Sequence, residues 1–320
     1  MKIAVLVMCA DNELCARNKK AMRDSFIDSC ESLMNSGKAE NEYEFIFYHG
    51  DNNLGIEYEC TNMYDNYTID IAVNCEDHIY RTFEKTYKTF DYILKNETSY
   101  DWIIRINIST FLNIHLLDKT IKYFNKNIIY CNALNSIISD VVYLNDIYPR
   151  GDMFIISTDM IKKIMPEMKK LLYCDTFTKD RLDVTHVDDC LIGVSIVNTF
   201  GRLYYKHFQM INYNFCPNVK IDNLKEPEVL YSLASRVKTI PPGVGYSGYS
   251  WDDNDYRKYD VGKMIELKKI VDEIDYSRYD SKTLLNQMIV PHNDGRVTIY
   301  VTMKNVRIPT LELVVNRKRT

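Results

Sequence analysis

The sequence predicts an α/β protein built on a mixed sheet whose N-terminal half is parallel and whose faces are flanked by helices. Three observations predict it. The run KIAVLVMC at 2–9 is continuously apolar, as a strand buried on both faces must be. From there to residue 107, strand-like and helix-like segments alternate, the pattern of βαβ units. Beyond residue 107 the alternation loosens, which implies a mixed second half joined to the first without a Gly/Ser linker.

Each element has its own signal. Residues 17–34 set Ala21, Met22, Phe26, Ile27, Cys30, Leu33 and Met34 on one helical stripe. YEFIFY at 43–48 is a second strand, halted by His49-Gly50-Asp51, and IDIAV at 69–73 is a third. Residues 79–95 form a helix with Ile79, Phe83, Tyr87, Phe90, Ile93 and Leu94 on one side, and DWIIRIN at 101–107 is the next buried strand. Strands are then expected at 128–133, 140–144, 152–157 and 203–210, with helices at 113–124, 158–172 and 188–199. The run IPPGVGYSGYSWDDNDY at 240–256 reads as a long loop, either a lid or binding segment or a plain surface connection. Helices at 259–274 and 281–288 and β-like runs at 296–303 and 310–316 follow. The expected organisation is one domain over 1–215, in halves 1–113 and 114–215, with residues 216–320 as a C-terminal α/β extension packed on it.

Composition excludes several classes. Of the 320 residues, 46% are hydrophobic and 26% charged, which suits a globular protein with a sizeable core. A formal net charge of −4 argues against a general nucleic-acid binder, which needs excess Lys and Arg to neutralise phosphate. No segment approaches the roughly 18 apolar residues of a membrane span. The first apolar run lacks a basic leader and a cleavage site, so it reads as a strand and not as a signal peptide. Nine scattered cysteines without a CxxC pair suit a reducing, cytoplasmic setting, where the sequons at Asn66, Asn96 and Asn107 carry no meaning. GxGxxG occurs only at 243–248, inside the Gly/Pro/Tyr-rich run and not between the first strand and its helix, and GxxxxGK[ST] does not occur, so neither a dinucleotide fold nor a P-loop is indicated.

Five segments carry a chain-wide resemblance. DWIIRINISTFLN at 101–113 is similar to a strand running into an acidic Asp-Asp-Asp and then Val-Phe-Val-Asn. Upstream, 17–26 (RNKKAMRDSF) is similar to an "R…AIRxTW" helix, and Glu84-Lys85-Thr86 sits in a stretch like "NLTLKT". Downstream, 150–157 (RGDMFIIS) is similar to "SGxGYVxS", and 186–193 (HVDDCLIG) to "EDVxxG". Taken in this order over about residues 1–215, the chain resembles the fringe and β1,3-galactosyltransferase superfamily of glycosyltransferases. The last hundred residues are not covered.

The resemblance implies a GT-A-like, Rossmann-like fold, with a nucleotide-sugar-binding half at 1–113 and an acceptor-binding, catalytic half at 114–215. It also implies sugar transfer from a nucleotide-diphosphate sugar donor to a glycan acceptor. It puts the catalytic base on Asp189, with Asp188 as cap or acceptor contact; simple helix capping by both is the alternative. Inverting transfer needs a base for the acceptor hydroxyl and a cationic device for the departing nucleoside diphosphate. The departure is at the metal site. The acidic triplet falls on Asn107, Ile108 and Ser109, and a hard divalent cation wants carboxylate oxygen. No resident metal or other cofactor is therefore expected, and the diphosphate must be neutralised by side chains. Candidates are Arg105, Lys85, Lys206 and His207, then Arg236 and Lys238, each with a structural alternative such as a strand-end or solvated charge. At the nucleotide end the turn Ala10-Asp11-Asn12 lies at the carboxyl edge of the sheet, where ligands of open α/β folds bind, with Asn107 and Ser109 beside it. A non-catalytic sugar- or nucleotide-binding relative and a retaining transferase remain as alternatives.

Overall fold

The computed structural model describes residues 1–78, 81–95, 99–131, 134–136, 147–149, 151–173, 188–200, 205–208, 210–212, 229–238 and 254–290. In chain order the strands are β1 (Lys2–Met8), β2 (Glu42–Gly50), β3 (Tyr58–Met63), β4 (Thr68–Val73), β5 (Trp102–Asn107), β6 (Thr110–Leu112) and β7 (Ile129–Cys131). They continue with β8 (Leu134–Ser136), β9 (Ile147–Pro149), β10 (Met153–Ser157), β11 (Tyr205–Phe208), β12 (Met210–Asn212), β13 (Ala234–Arg236) and β14 (Ile289–Val290). The helices are α1 (Glu13–Met22), α2 (Asp28–Asn35), α3 (Thr82–Lys95), α4 (Ile114–Thr120), α5 (Thr158–Leu172), α6 (Asp188–Phe200), α7 (Asn254–Glu273) and α8 (Ser281–Met288).

Nine strands form one sheet in the order β14-β11-β7-β10-β5-β1-β2-β4-β3. The pairs β1/β2, β1/β5 and β2/β4 are parallel, whereas β10 runs antiparallel to both β5 and β7. This is the expected α/β class: a mixed sheet with a parallel core, flanked by helices. β6, β12 and β13 make a second, three-stranded sheet, and β8 pairs with β9.

The apolar run at the start of the chain acts as its composition demands. Ile3, Val5 and Val7 enter one core with Phe45, Ile104 and Met153, under α1, α2, α4, α7 and α8. Ala4 and Leu6 enter a second core with Ile46, Ile71, Ile103 and Phe154, under α3, α5 and α6. The period of two along a strand divides one sequence between two buried faces. The helices begin where side chains cap them: Asn12 accepts from Cys15 N at 2.9 Å, Asn113 from Leu116 N at 3.1 Å, and Ser157 from Met160 N at 3.2 Å. The helix expected at 17–34 is two, α1 and α2, joined by a π turn at Arg23–Ile27 in which Ser25 leaves helical geometry (φ −118°, ψ −108°).

Seven of the described strands, β3, β6, β8, β9, β12, β13 and β14, were not among those expected. β3 is almost wholly exposed and has no apolar alternation to betray it. β6 and β13, three residues each, exist because they pair with each other. The expected strands at 140–144, 296–303 and 310–316 lie outside the described residues, as does most of the loop at 240–256. Residues 229–238 and 254–290 share the first core through Val229, Leu233, Val237, Met264 and Leu267. Asn113 Nδ2 donates to Tyr276 Oη at 2.8 Å, and Ser29 Oγ to Asp272 Oδ1 at 2.9 Å, tying this segment to the first half. Among the described residues no helix is long and apolar enough to cross a membrane.

The topology fixes where a ligand belongs. The chain steps outward from β1 through β2 to β4, then returns to the opposite side of β1 for β5. Strand order thus reverses between β1 and β5, and the crevice outside their carboxyl ends is the switch point at which such sheets bind ligands. Met8 lies opposite Asn107 at that edge. β2 reaches it too, running through His49 and Gly50 where a stop was expected. Gly50 lets two backbones meet: a Cβ there would stand 2.7 Å from the Cys75 carbonyl and 3.0 Å from Asp77 Cα. Gly50→Ala is therefore expected to destabilise the fold by roughly 1–3 kcal/mol, measured by urea denaturation.

Candidate functional site

Four pieces of chain meet at the switch point. The first is the turn after β1. Asp77 accepts from Asp11 N at 2.9 Å and Gly50 N at 3.3 Å, and it pairs with Lys85. Lys85 also donates to the Cys9 carbonyl at 3.2 Å. Asp77 thus organises the loop edge, a role that nothing in its local sequence announced. Lys85, expected as a donor contact, is buried beneath the turn and engaged there. Asn12 is the cap of α1, and Ala10 N donates to Cys15 Sγ at 3.2 Å. Asp11 and Asn12 are exposed and Ala10 is half-buried.

The second piece is a buried polar hub behind the edge. Arg105 Nη2 lies 2.6 Å from Asp188 Oδ2, both side chains being essentially inaccessible. Arg105 also donates to the Gly151 carbonyl and stands 3.4 Å from Met8 Sδ. Thr86 Oγ1 donates to Asp188 Oδ2 at 3.0 Å and therefore receives the Tyr48 hydroxyl proton at 3.1 Å, since a hydroxyl has one proton to give. Thr82 Oγ1 accepts from Asp188 N at 3.2 Å, at the start of α6. Arg105 and Asp188, read from sequence as a donor contact and a catalytic or capping acid, face each other inside the protein. Their geometry positions α6.

The third piece is Asp189, the next residue on α6. Its Oδ2 accepts from Gly151 N at 2.8 Å. A side chain at 151 would come within 3.1 Å of that oxygen and 3.3 Å of Arg105 Nη1, so glycine allows this approach.

The fourth piece is cationic. β13 runs antiparallel to β6, with Arg236 opposite Thr110, and Val237 N donates to the Ser109 carbonyl at 2.9 Å. Arg236 pairs with Asp152, the neighbour of Gly151, whose carbonyl accepts from Thr110 Oγ1 at 3.0 Å. Arg257 Nε lies 2.5 Å from Asp260 Oδ2 on α7. Relative exposures of Arg236, Lys238, Arg257 and Lys263 are 5%, 2%, 4% and 6%. Arg236 and Lys238 were candidate diphosphate contacts from sequence, with a solvated face as the alternative; tertiary packing buries both, which removes that alternative. Burial, with the charges of Arg236 and Arg257, pulls the Lys238 ammonium down to about 6, against the opposing pull of Asp260.

Lys206 and His207 are on β11, separated from β5 by β7 and β10. Three strand spacings put their backbone roughly 14 Å across the sheet from β5, and their side chains lie outside the described residues. Asn107 is half-buried, and Ser109 is buried against β13. The donor set at 107–109 is an amide, an apolar side chain and a hydroxyl, which does not fit a hard divalent cation. Asp152 and Asp189, the carboxylates flanking it, are engaged by Arg236 and the Gly151 amide.

No protein-family model and no curated protein matches the chain. A solved structure that does match is a glycosyltransferase involved in the glycosylation of the major capsid of PBCV-1, with a TM-score of 0.43 and 10% identity over 82% of this chain and 98% of that one.

The hub makes a direct prediction. Arg105→Met leaves a buried, unpaired carboxylate and is expected to cost roughly 3–5 kcal/mol. Arg105→Met with Asp188→Asn removes both charges and is expected to recover more than half of that loss. Urea denaturation of the single and double variants measures the difference.

Proposed function

We propose that this chain is a glycosyltransferase that moves a sugar from a nucleotide-diphosphate sugar to a hydroxyl of a glycan or similar acceptor. The reading includes inversion at the anomeric carbon, Asp189 as general base, and no resident metal ion. One observation carries it: on either side of the Gly151–Asp152 dipeptide, at the switch point, stand a carboxylate held by a backbone amide and the buried guanidinium of Arg236. Base and cation are the two devices that inverting sugar transfer needs. The five family-like segments support the same assignment, since 150–157 and 186–193 supply Gly151 and Asp189.

The chemistry follows from those positions. Asp189 takes the proton of the acceptor hydroxyl as its oxygen attacks the anomeric carbon. The bond from that carbon to the diphosphate oxygen breaks, and its electron pair leaves with the phosphate. Arg236 stabilises the charge that develops there, in surroundings where burial strengthens the interaction. The hydrogen bond from Gly151 N aims the carboxylate, and the Arg105–Asp188 pair holds the helix that carries it. A binding protein without catalysis is the second reading, favoured by the neutral residues at 107–109.

A panel of nucleotide sugars, screened for hydrolysis and thermal stabilisation, identifies the donor. With that donor, Asp189→Asn keeps an acceptor for Gly151 N but loses the base. Turnover is expected to fall by about 10²–10⁴ while donor affinity stays nearly unchanged. Near-normal turnover would refute the assignment, and an enzyme silent with every donor would favour the binding protein. Transfer is further expected to persist at full rate in EDTA. Loss of activity that Mn²⁺ restores would show that other ligands rebuild a metal site.

A further inference from the structure

We propose that the turn between β1 and α1 receives the ribose of the donor, with the Asp11 carboxylate accepting hydrogen bonds from its 2′- and 3′-hydroxyls and Asp77 positioning Asp11. The inference rests on the reading of the donor as a nucleotide-diphosphate sugar. It deepens that reading by naming the donor class: a ribonucleotide sugar in preference to a deoxyribonucleotide one.

Every backbone amide of the turn is already committed. Cys9 N donates to the Tyr48 carbonyl at 3.0 Å, Ala10 N to Cys15 Sγ at 3.2 Å, Asp11 N to Asp77 Oδ2 at 2.9 Å and Asn12 N to the Ala10 carbonyl at 3.0 Å. A phosphate loop works the other way, because its successive N–H groups stay open and converge on the anion. The backbone of 9–12 therefore has only acceptors to offer a ligand. Acceptors suit hydroxyl groups and repel phosphate oxygens. Glu13, in the first turn of α1, adds a negative charge that further discourages phosphate. The strongest acceptor is the Asp11 carboxylate. It is exposed, and among the described residues it enters no hydrogen bond or ion pair. The vicinal hydroxyls of ribose present two donors side by side, and a carboxylate accepts one on each oxygen. An acidic residue takes the ribose of a dinucleotide by the same chemistry in other open α/β sheets.

Asp11 is a supported acceptor and not a loose surface acid. Asp77 comes from the segment between β4 and α3, and its two oxygens reach the ends of two other strands. Oδ2 takes Asp11 N after β1, and Oδ1 takes Gly50 N at the end of β2 at 3.3 Å. Lys85, on α3, pairs with Asp77 and donates to the Cys9 carbonyl at 3.2 Å, so the turn is held at both of its ends. The carboxylate thus stands on backbone that is fixed before any ligand arrives, at the carboxyl end of β1 beside the switch point. His49, half-buried near the end of β2, lies next to it. It shares the parity of Tyr43, Phe45 and Phe47, which enter the core under α1. Burial pulls its imidazole below the ordinary value, against the charges of Asp77 and Asp11, so it stands within electrostatic reach of both carboxylates.

The test uses the whole chain and needs no sugar transfer. UDP, GDP and CDP are titrated calorimetrically, each beside its 2′-deoxy and 2′,3′-dideoxy counterparts. For the nucleotide bound most tightly, the wild type is expected to prefer the ribo form over the dideoxy form by about ten-fold or more. Asp11→Ala is expected to bring that ratio close to one by weakening the ribo form alone, with Tm unchanged because the side chain is exposed. Asp77→Asn by itself strands the Lys85 ammonium, so Asp77→Asn with Lys85→Met is the second probe. It is expected to lower the ratio as well. Damage to the fold would weaken ribo and dideoxy forms alike, and only loss of the diol contact changes their ratio. Equal binding of the two forms by the wild type, an unchanged ratio in Asp11→Ala, or failure of all three nucleotides to bind overturns the inference. An unchanged ratio in the double variant overturns the positioning role of Asp77. Ribose-dependent binding without sugar transfer from any donor would instead refute the transferase reading and leave the ribose site standing.

Discussion

The buried ion pair between Arg105 and Asp188 is the contact on which the edge of this molecule depends. Arg105 belongs to the central parallel strand β5 and Asp188 to the first turn of α6, so the pair couples the sheet to the helix that carries Asp189. Removing two charges from water is costly, and the arrangement holds only because the remaining hydrogen-bonding capacity is also met. Thr86, Tyr48 and the Gly151 carbonyl meet much of it. Such a pair contributes little net stability against an apolar alternative, but it tolerates only one relative placement of strand, helix and the 151–152 turn. A carboxylate proposed as a base needs that kind of placement, because proton transfer requires approach within hydrogen-bond reach.

The loop edge next to it is built by the same logic at smaller scale. Asp77 gathers two backbone amides and the Lys85 ammonium from three separate segments. The lysine stem is buried under the turn, so its charge serves the shape of the crevice from behind. Gly50 and Gly151 mark the two places where chains approach too closely for a side chain. The chains on both sides of the switch-point crevice are thus closely packed, and the ionisable residues at its back are engaged by protein groups, Arg105 Nε excepted.

On the cationic side the balance differs. Lys238 is held in a setting that disfavours its charge. The cationic side also links 229–290 to the first half: the chain that supplies Arg236 and Arg257 is part of the core that buries β1.

Much of the fold was legible locally. Continuous apolar runs marked β1, β2, β5 and β10, and helical stripes marked α3, α5 and α6, because burial on one or two faces writes a period into the residues concerned. β3, β6 and β13 were not legible: one is exposed, and the others are short strands created by a partner distant in sequence. The site divided the same way. Asp189 was visible because an acid opening an apolar helix is a local pattern joined to a family-like segment. Asp77 gave no local sign, and whether Arg236 and Lys238 were solvated was not legible, since burial of a charge depends on what packs over it. The sequence by itself determined the buried strands of the sheet's parallel core, the α/β class and the neutral character of 107–109. Only the tertiary structure decided that Arg105 and Asp188 neutralise each other out of solvent and that Arg236 comes to lie opposite Thr110. Pairing between segments more than 120 residues apart, as between Ala234 and Leu112, is set by the sum of many weak contacts, which no short window of sequence contains.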